Sequence, residues 1–202
     1  MRIIMSTVAI ALTTAFVSAP AAAQGLLPFS VEVRAGAAFP TGDFGENEDV
    51  ETGFGFEVNA KYQMIPVIAV YAGYDRYTFG GNTEGLAEDV EAETVDSGLA
   101  LGLQASIPLA VVTGLSPWVR GGVIYNQASA EISDGTSAIT IESEQTLGFE
   151  VGGGLSIPLG PAISVTPGVR YRAYSPEFEF GGETTEGDLS YVAAEVGLSL
   201  SF

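Results

Sequence analysis

Tyr191-Val192-Ala193-Ala194-Glu195-Val196-Gly197-Leu198-Ser199-Leu200-Ser201-Phe202 is the stretch that decides the fold. Val192, Ala194, Val196, Leu198, Leu200 and Phe202 stand at alternate positions against Ala193, Glu195, Gly197, Ser199 and Ser201. A period of two belongs to a β-strand, whose successive side chains point to opposite faces. One face here is apolar from end to end, and the other is small, polar or charged. The stretch is also long. Soluble strands average about five or six residues, whereas a tilted strand crossing a bilayer needs about nine to eleven.

The same pattern recurs upstream, giving eight segments in all: Phe29–Phe39, Gly53–Tyr62, Val67–Phe79, Val95–Ile107, Trp118–Ala130, Gln145–Ile157, Ile163–Tyr174 and Tyr191–Phe202. Val67–Phe79 alternates least cleanly. Short proline-marked links (Gln63–Pro66, Pro108–Pro117, Pro158–Ala162) follow every second segment. The others are followed by longer acidic stretches around Thr41–Glu51, Gly80–Glu93, Glu131–Glu144 and Pro176–Asp188. Short turns at one end and long loops at the other, joining an even number of strands, predict an all-β fold: an eight-stranded antiparallel up-and-down transmembrane barrel. Phe29, Phe39, Tyr62, Trp118, Phe149, Tyr171 and Phe202 lie near strand ends and are expected in the aromatic girdles at the bilayer surfaces. A soluble barrel with its apolar face turned inward is the competing reading. Strand length and a charged, glycine-rich opposite face weigh against it.

Composition agrees. The 202 residues have a mean hydropathy of +0.30, yet beyond the first two dozen residues no run approaches the ~18 apolar residues of a spanning helix. Twenty-six glycines disfavour helices, since each costs about 1 kcal/mol against alanine there. The chain has no cysteine, hence no disulfide framework, and no histidine. That excludes a Ser-His-Asp triad and a histidine-containing zinc site.

Arg2, the mostly apolar Thr7–Ala19 and small residues at Ala21 and Ala23 have the layout of a secretory signal peptide. Cleavage is expected after Ala23, leaving residues 24–202 as the exported barrel domain.

On these residues the chain resembles the small OmpA/OmpX-type outer-membrane β-barrel proteins over about Gln24 to Phe202. The sharpest motif is the terminal strand, with Val196, Leu198, Leu200 and Phe202 alternating up to a phenylalanine. The resemblance implies that this ending is a signal read by the barrel-assembly machinery. It also implies residence in outer-membrane lipid with the long loops outside. Nothing follows Phe202, so the peptidoglycan-binding domain of many family members is expected to be missing. The family includes structural barrels, adhesins, narrow channels and lipid-modifying enzymes, so fold alone leaves function open.

The charges divide sharply. Arg34, Lys61, Arg120, Arg170 and Arg172 fall on the face predicted to line the lumen, as do Glu32, Glu57, Asp96, Glu150 and Glu195; Arg76 lies near a rim. In so narrow a tube these ten groups should pair, because an unpaired charge away from water is costly. The network reads either as a salt-bridged plug or as an ion path, and the filled interior usual for eight strands favours the plug.

Apart from Asp75, the remaining nineteen acids lie in or beside the long stretches, with no lysine or arginine among them. Their field should repel nucleic acid and attract cations or basic surface partners. Asp43–Glu51 lacks the spacing of a calcium loop, and Gly152-Gly153-Gly154 lies inside a strand without the helix of a phosphate loop. No metal, cofactor or catalytic residue is therefore assigned. Barrel lipases or acyltransferases that use histidine find no residue here to carry the comparison. A structural or surface-interaction role comes first, a narrow channel or small-molecule conduit second, and a lipid-modifying enzyme last.

Overall fold

The computed structural model describes residues 28–46, 50–81, 91–107, 114–133, 138–180 and 183–202. The leader assigned to residues 1–23 lies outside them. In chain order the elements are β1 (Phe29–Pro40), α1 (Gly42–Glu46), β2 (Gly53–Ile65), β3 (Ile68–Gly81), β4 (Glu91–Ser106), β5 (Ser116–Ser133), β6 (Ala138–Glu142), β7 (Thr146–Pro158), β8 (Ile163–Tyr174), β9 (Glu177–Phe180), β10 (Glu183–Glu186) and β11 (Leu189–Ser201).

Eight of these strands close on themselves. The hydrogen-bonded order is β4-β3-β2-β1-β11-β8-β7-β5, and β5 pairs back onto β4. Every pair is antiparallel, and β1 meets β11 from Ser30↔Ser201 to Pro40↔Tyr191, which joins the first barrel strand to the last. The decisive stretch is thus the seam of the barrel. Closure leaves no unpaired edge among these strands, the condition for a sheet to exist in lipid, where free N–H and C=O groups find no water.

The faces are inverted relative to a soluble protein. Leu99, Leu101 and Leu103 are 58%, 55% and 52% exposed, while the largest buried side chains include Arg34, Arg170, Arg172, Glu32, Glu57 and Glu150. An apolar belt around a charged interior is stable only where hydrocarbon surrounds it. The inward-apolar alternative is thereby excluded.

Three details differ from the sequence reading. β2 runs on to Ile65 through a register shift between Gln63 and Ile65, where the Gln63 amide donates to the Ile65 carbonyl at 2.6 Å. The link is therefore a tight turn at Pro66–Val67, and Val67 is not in β3. Trp118 is no girdle residue: it is 3% exposed and points into the lumen, in phase with Arg120. Other expected girdle positions do face outward; Phe29 and Tyr62 pack at 4.9 Å and Phe149 and Tyr171 at 6.0 Å.

The long connections carry structure of their own. β6 extends the edge of β5, β9 and β10 form a hairpin, and α1 sets Phe44 edge-on to Phe79 at 5.2 Å. Phe44, Val50 and Phe178 lean on the buried cluster of Tyr77, Phe79, Leu189 and Tyr191. Apolar residues scattered through the acidic stretches thus draw these segments over the loop end of the lumen.

Candidate functional site

The lumen is narrow because eight strands enclose little more than side-chain volume. Glycines make the room that large groups need. A Cβ on Gly154 or Gly168 would come within 2.6 Å of the Trp118 indole, and one on Gly102 or Gly122 within 2.5 Å of the Tyr71 hydroxyl. The glycine-rich inner face and its bulky partners are one packing solution.

At the short-turn end, Glu32 gathers three donors. Lys61 Nζ lies 2.8 Å from Oε2, Arg34 Nε 2.5 Å from Oε1, and the Thr166 hydroxyl donates to Oε2 at 3.1 Å. The Arg34 guanidinium lies 4.5 Å above the centre of the Trp118 ring. Arg34 Nη2, both amide atoms of Asn59 and Trp118 Nε1 are buried without a hydrogen-bond partner among the described residues.

In the middle, Arg170 joins three strands. Its Nη1 reaches Glu57 at 2.7 Å and Glu150 at 3.0 Å, and its Nη2 reaches Glu195 at 2.5 Å. Arg120 donates to both Glu57 oxygens at 2.8 Å and lies 3.2 Å from Glu150. The hydroxyl of Tyr71 donates to Glu150 at 2.6 Å, and that of Tyr77 donates to Glu195.

Towards the loops, Arg172 grips both oxygens of Asp75, with Nη2 at 2.7 Å from Oδ1, and its Nε donates to Glu150 at 3.2 Å. Asp96 is held mainly by neutral donors: Asn126 at 2.7 Å, Tyr191 at 2.8 Å and Tyr174 at 2.9 Å. The aromatic cluster under α1 covers this end.

The structure thus places all ten lumen-assigned residues in the interior. It adds Asp75, which is fully buried. Asp75 alternates in phase with Tyr71 and Gly73 along β3 and so shares their inward face, although the ten groups named from the sequence do not include it. Its neighbour Arg76 points outward and is exposed, so the pair reads as a charge doublet unless each residue is assigned to its own face. The aromatic lining (Tyr71, Tyr77, Tyr174, Tyr191) was not singled out from sequence; each lies in phase with a charged lumenal residue, which was the available signal.

Val196, Leu198, Leu200 and Phe202 all face outward at the β11 seam, 59%, 55%, 45% and 55% exposed, and Phe202 N donates to the Phe29 carbonyl at 2.9 Å. Gly152, Gly153 and Gly154 lie within β7. Among the described residues no group of carboxylates has the arrangement of a metal site.

A family model for the outer membrane protein beta-barrel domain matches residues 9–202. The chain belongs to that family. It is accordingly a protein of the bacterial outer membrane. Neisserial surface protein A superposes with a TM-score of 0.61 at 18% identity, covering 89% of this chain and all of that one. Ail, the attachment invasion locus protein of Yersinia pestis, gives 0.55 at 11% identity over 88% and 100%. OprG of Pseudomonas aeruginosa gives 0.55 at 14% over 90% and 99%. At such identities the likeness is one of fold. No curated protein matches the chain.

Proposed function

We propose that this barrel is a closed outer-membrane scaffold that presents acidic loops at the cell surface, where they meet cations or basic partners in a structural or adhesin-like role. The observation that carries this reading is the middle of the lumen. Glu57, Glu150, Arg170 and Arg172 are at most 1% exposed and bonded across strands, so side chains rather than solvent fill the cross-section. Neisserial surface protein A and the attachment invasion locus protein, which share the fold, carry names that place those two proteins at the cell surface.

A conduit finds one supporting feature, buried polar atoms without a partner among the described residues: Asn126 Oδ1 towards the loops, Arg120 Nε and Arg170 Nε in the middle, and atoms of Gln104, Arg34, Asn59 and Trp118 nearer the short-turn end. A buried polar atom without a partner costs about 1–3 kcal/mol, so water entering from that end would relieve those nearest it. In the proposed reading the ion-paired Arg120–Glu57–Arg170 layer halts such water, and the short-turn half is a dead-end vestibule. No reaction is proposed, since every lumenal carboxylate is already engaged by a cation or by neutral donors. In this reading the long loops face outside, and the outward-facing Val196, Leu198, Leu200 and Phe202 are what the barrel-assembly machinery reads.

Planar-bilayer recording tests the closed lumen. The wild type should show no steady single-channel current, and reproducible cation-selective steps would put the channel first.

A further inference from the structure

At the loop end the wall between β7 and β8 is incomplete. Their ladder begins at Phe149↔Ala173, Gly148 still packs against Tyr174, and the next backbone hydrogen bond towards the loops is the one that Glu144 N donates to the Glu177 carbonyl at 2.9 Å. In between, β7 keeps to β5, with Leu147 opposite Tyr125 and Thr146 opposite Asn126. Here lies a cavity of about 640 Å³, within the range usual for small-molecule sites.

Its lining has two chemistries. Leu147, 69% exposed, and Phe149, 49% exposed, belong to the lipid-facing side, with Tyr171 against Phe149. Above them stand three exposed carboxylates: Asp43 from α1, Glu177 from β9 and Asp188 just before β11. The Ser175 hydroxyl donates to Asp188 at 2.7 Å and fixes its direction. No lysine or arginine lines the cavity. Apart from the outward Arg76 on β3, the bases among the described residues are held in the lumen. The carboxylates therefore have no internal counter-charge, and an apolar track leads from them into the bilayer.

We infer that this cavity binds a cationic amphiphile, a single-chain lipid-like molecule bearing an amine. The tail lies along Leu147 and Phe149, and the ammonium sits among Asp43, Glu177 and Asp188. A hydrocarbon chain without the amine would leave the carboxylates unanswered, and an anionic head would be repelled. The inference does not depend on the lumen being closed, so a conducting barrel would leave it standing.

The test uses the full barrel in phosphatidylcholine nanodiscs with methyl-labelled leucine. The probe is hexadecyl-dimethylammonium carrying a nitroxide on its head, compared with a stearate carrying a nitroxide near its carboxylate. Saturable broadening of the Leu147 methyls is expected with the ammonium probe, at probe levels that leave Leu101 and Leu198 unchanged. The stearate should need at least a tenfold higher level. Asp43→Asn/Glu177→Gln/Asp188→Asn should raise the half-saturating ammonium level at least tenfold with the Leu101 and Leu198 signals intact. Glu131→Gln/Glu142→Gln, which alters exposed acids outside the cavity, should not. Equal broadening of Leu147 and Leu101 would reduce the cavity to ordinary lipid contact and overturn the inference. Equal response to the two probes, or equal effects of the two sets of substitutions, would overturn it as well.

Discussion

Replacing Arg170 by methionine removes a cation while keeping much of its apolar length, and its three carboxylate partners fare differently. Glu57 keeps Arg120, and Glu150 keeps Arg120 and Arg172. Glu195 keeps only the hydroxyl of Tyr77. The lumen, with six acids and five bases, goes to six and four, so its net charge falls from −1 to −2. Breaking a buried ion pair by removing one partner costs about 3–5 kcal/mol. Because two of the three carboxylates retain a cation, the lower end applies, about 3 kcal/mol. Urea unfolding from lipid vesicles measures it, with Trp118, the sole tryptophan, as the fluorescent reporter inside the lumen. Adding Glu195→Gln to Arg170→Met should bring stability back to within about 1 kcal/mol of the wild type, since a neutral amide needs no cation. A loss below about 1 kcal/mol for the single substitution would mean that water screens these groups as it does exposed pairs, and the closed lumen would be refuted.

Asp75→Asn should likewise cost about 3 kcal/mol by taking the paired carboxylate from Arg172, whereas Asp96→Asn, whose hydrogen-bond partners are neutral and whose Arg172 contact is a long 3.7 Å, should cost only about 1 kcal/mol in the same unfolding assay. Gly154→Val places a Cβ 2.2 Å from the Pro167 carbonyl and 2.6 Å from Trp118, so no heat-modifiable folded band should appear on a gel; Gly160→Val, with nothing within 4 Å, should fold normally. Removing Phe202 should lower outer-membrane abundance in cells while leaving refolding into vesicles nearly unchanged; equal abundance in cells would remove the assembly-signal reading of that end.

The alternation was enough to read strand number, the identity of the faces and the ten charged groups that meet inside, because a period of two is a local property of the chain. What it left unread depends on the other strands. Trp118 near a strand end looks like an interfacial anchor until Gly154 and Gly168, on two other strands, are seen to clear a space for it inside. Asp75 and Arg76 are adjacent in sequence and lie on opposite sides of the wall, as the alternation requires, but the partner of Asp75 is Arg172 on β8, which no local pattern on β3 identifies. The hairpin of β9 and β10 and the short α1 escaped notice because they are only four or five residues long, so that even the alternation of Glu177-Phe178-Glu179-Phe180 is too brief to stand out from an acidic loop. A few apolar residues, Phe44 and Phe178 among them, hold these segments through contacts that do not appear in the local pattern.

The ion-paired lumen and the acidic exterior share a cause. Of the seven basic residues, Arg2 belongs to the leader assigned from the sequence, five are buried in the lumen, and Arg76 alone faces outward. Of the twenty-five acids, six are lumenal, which leaves nineteen for the loops and rims. Buried carboxylates need cations or several neutral donors, because desolvated charge cannot be left alone. Meeting that demand removes nearly every base from the surface. The loop end therefore has almost no internal counter-charge, which is why the proposed function has it meet cations from its surroundings. Any ligand that docks there has to answer carboxylates set beside a hydrocarbon belt, and the opening between β7 and β8 brings both features into one cavity.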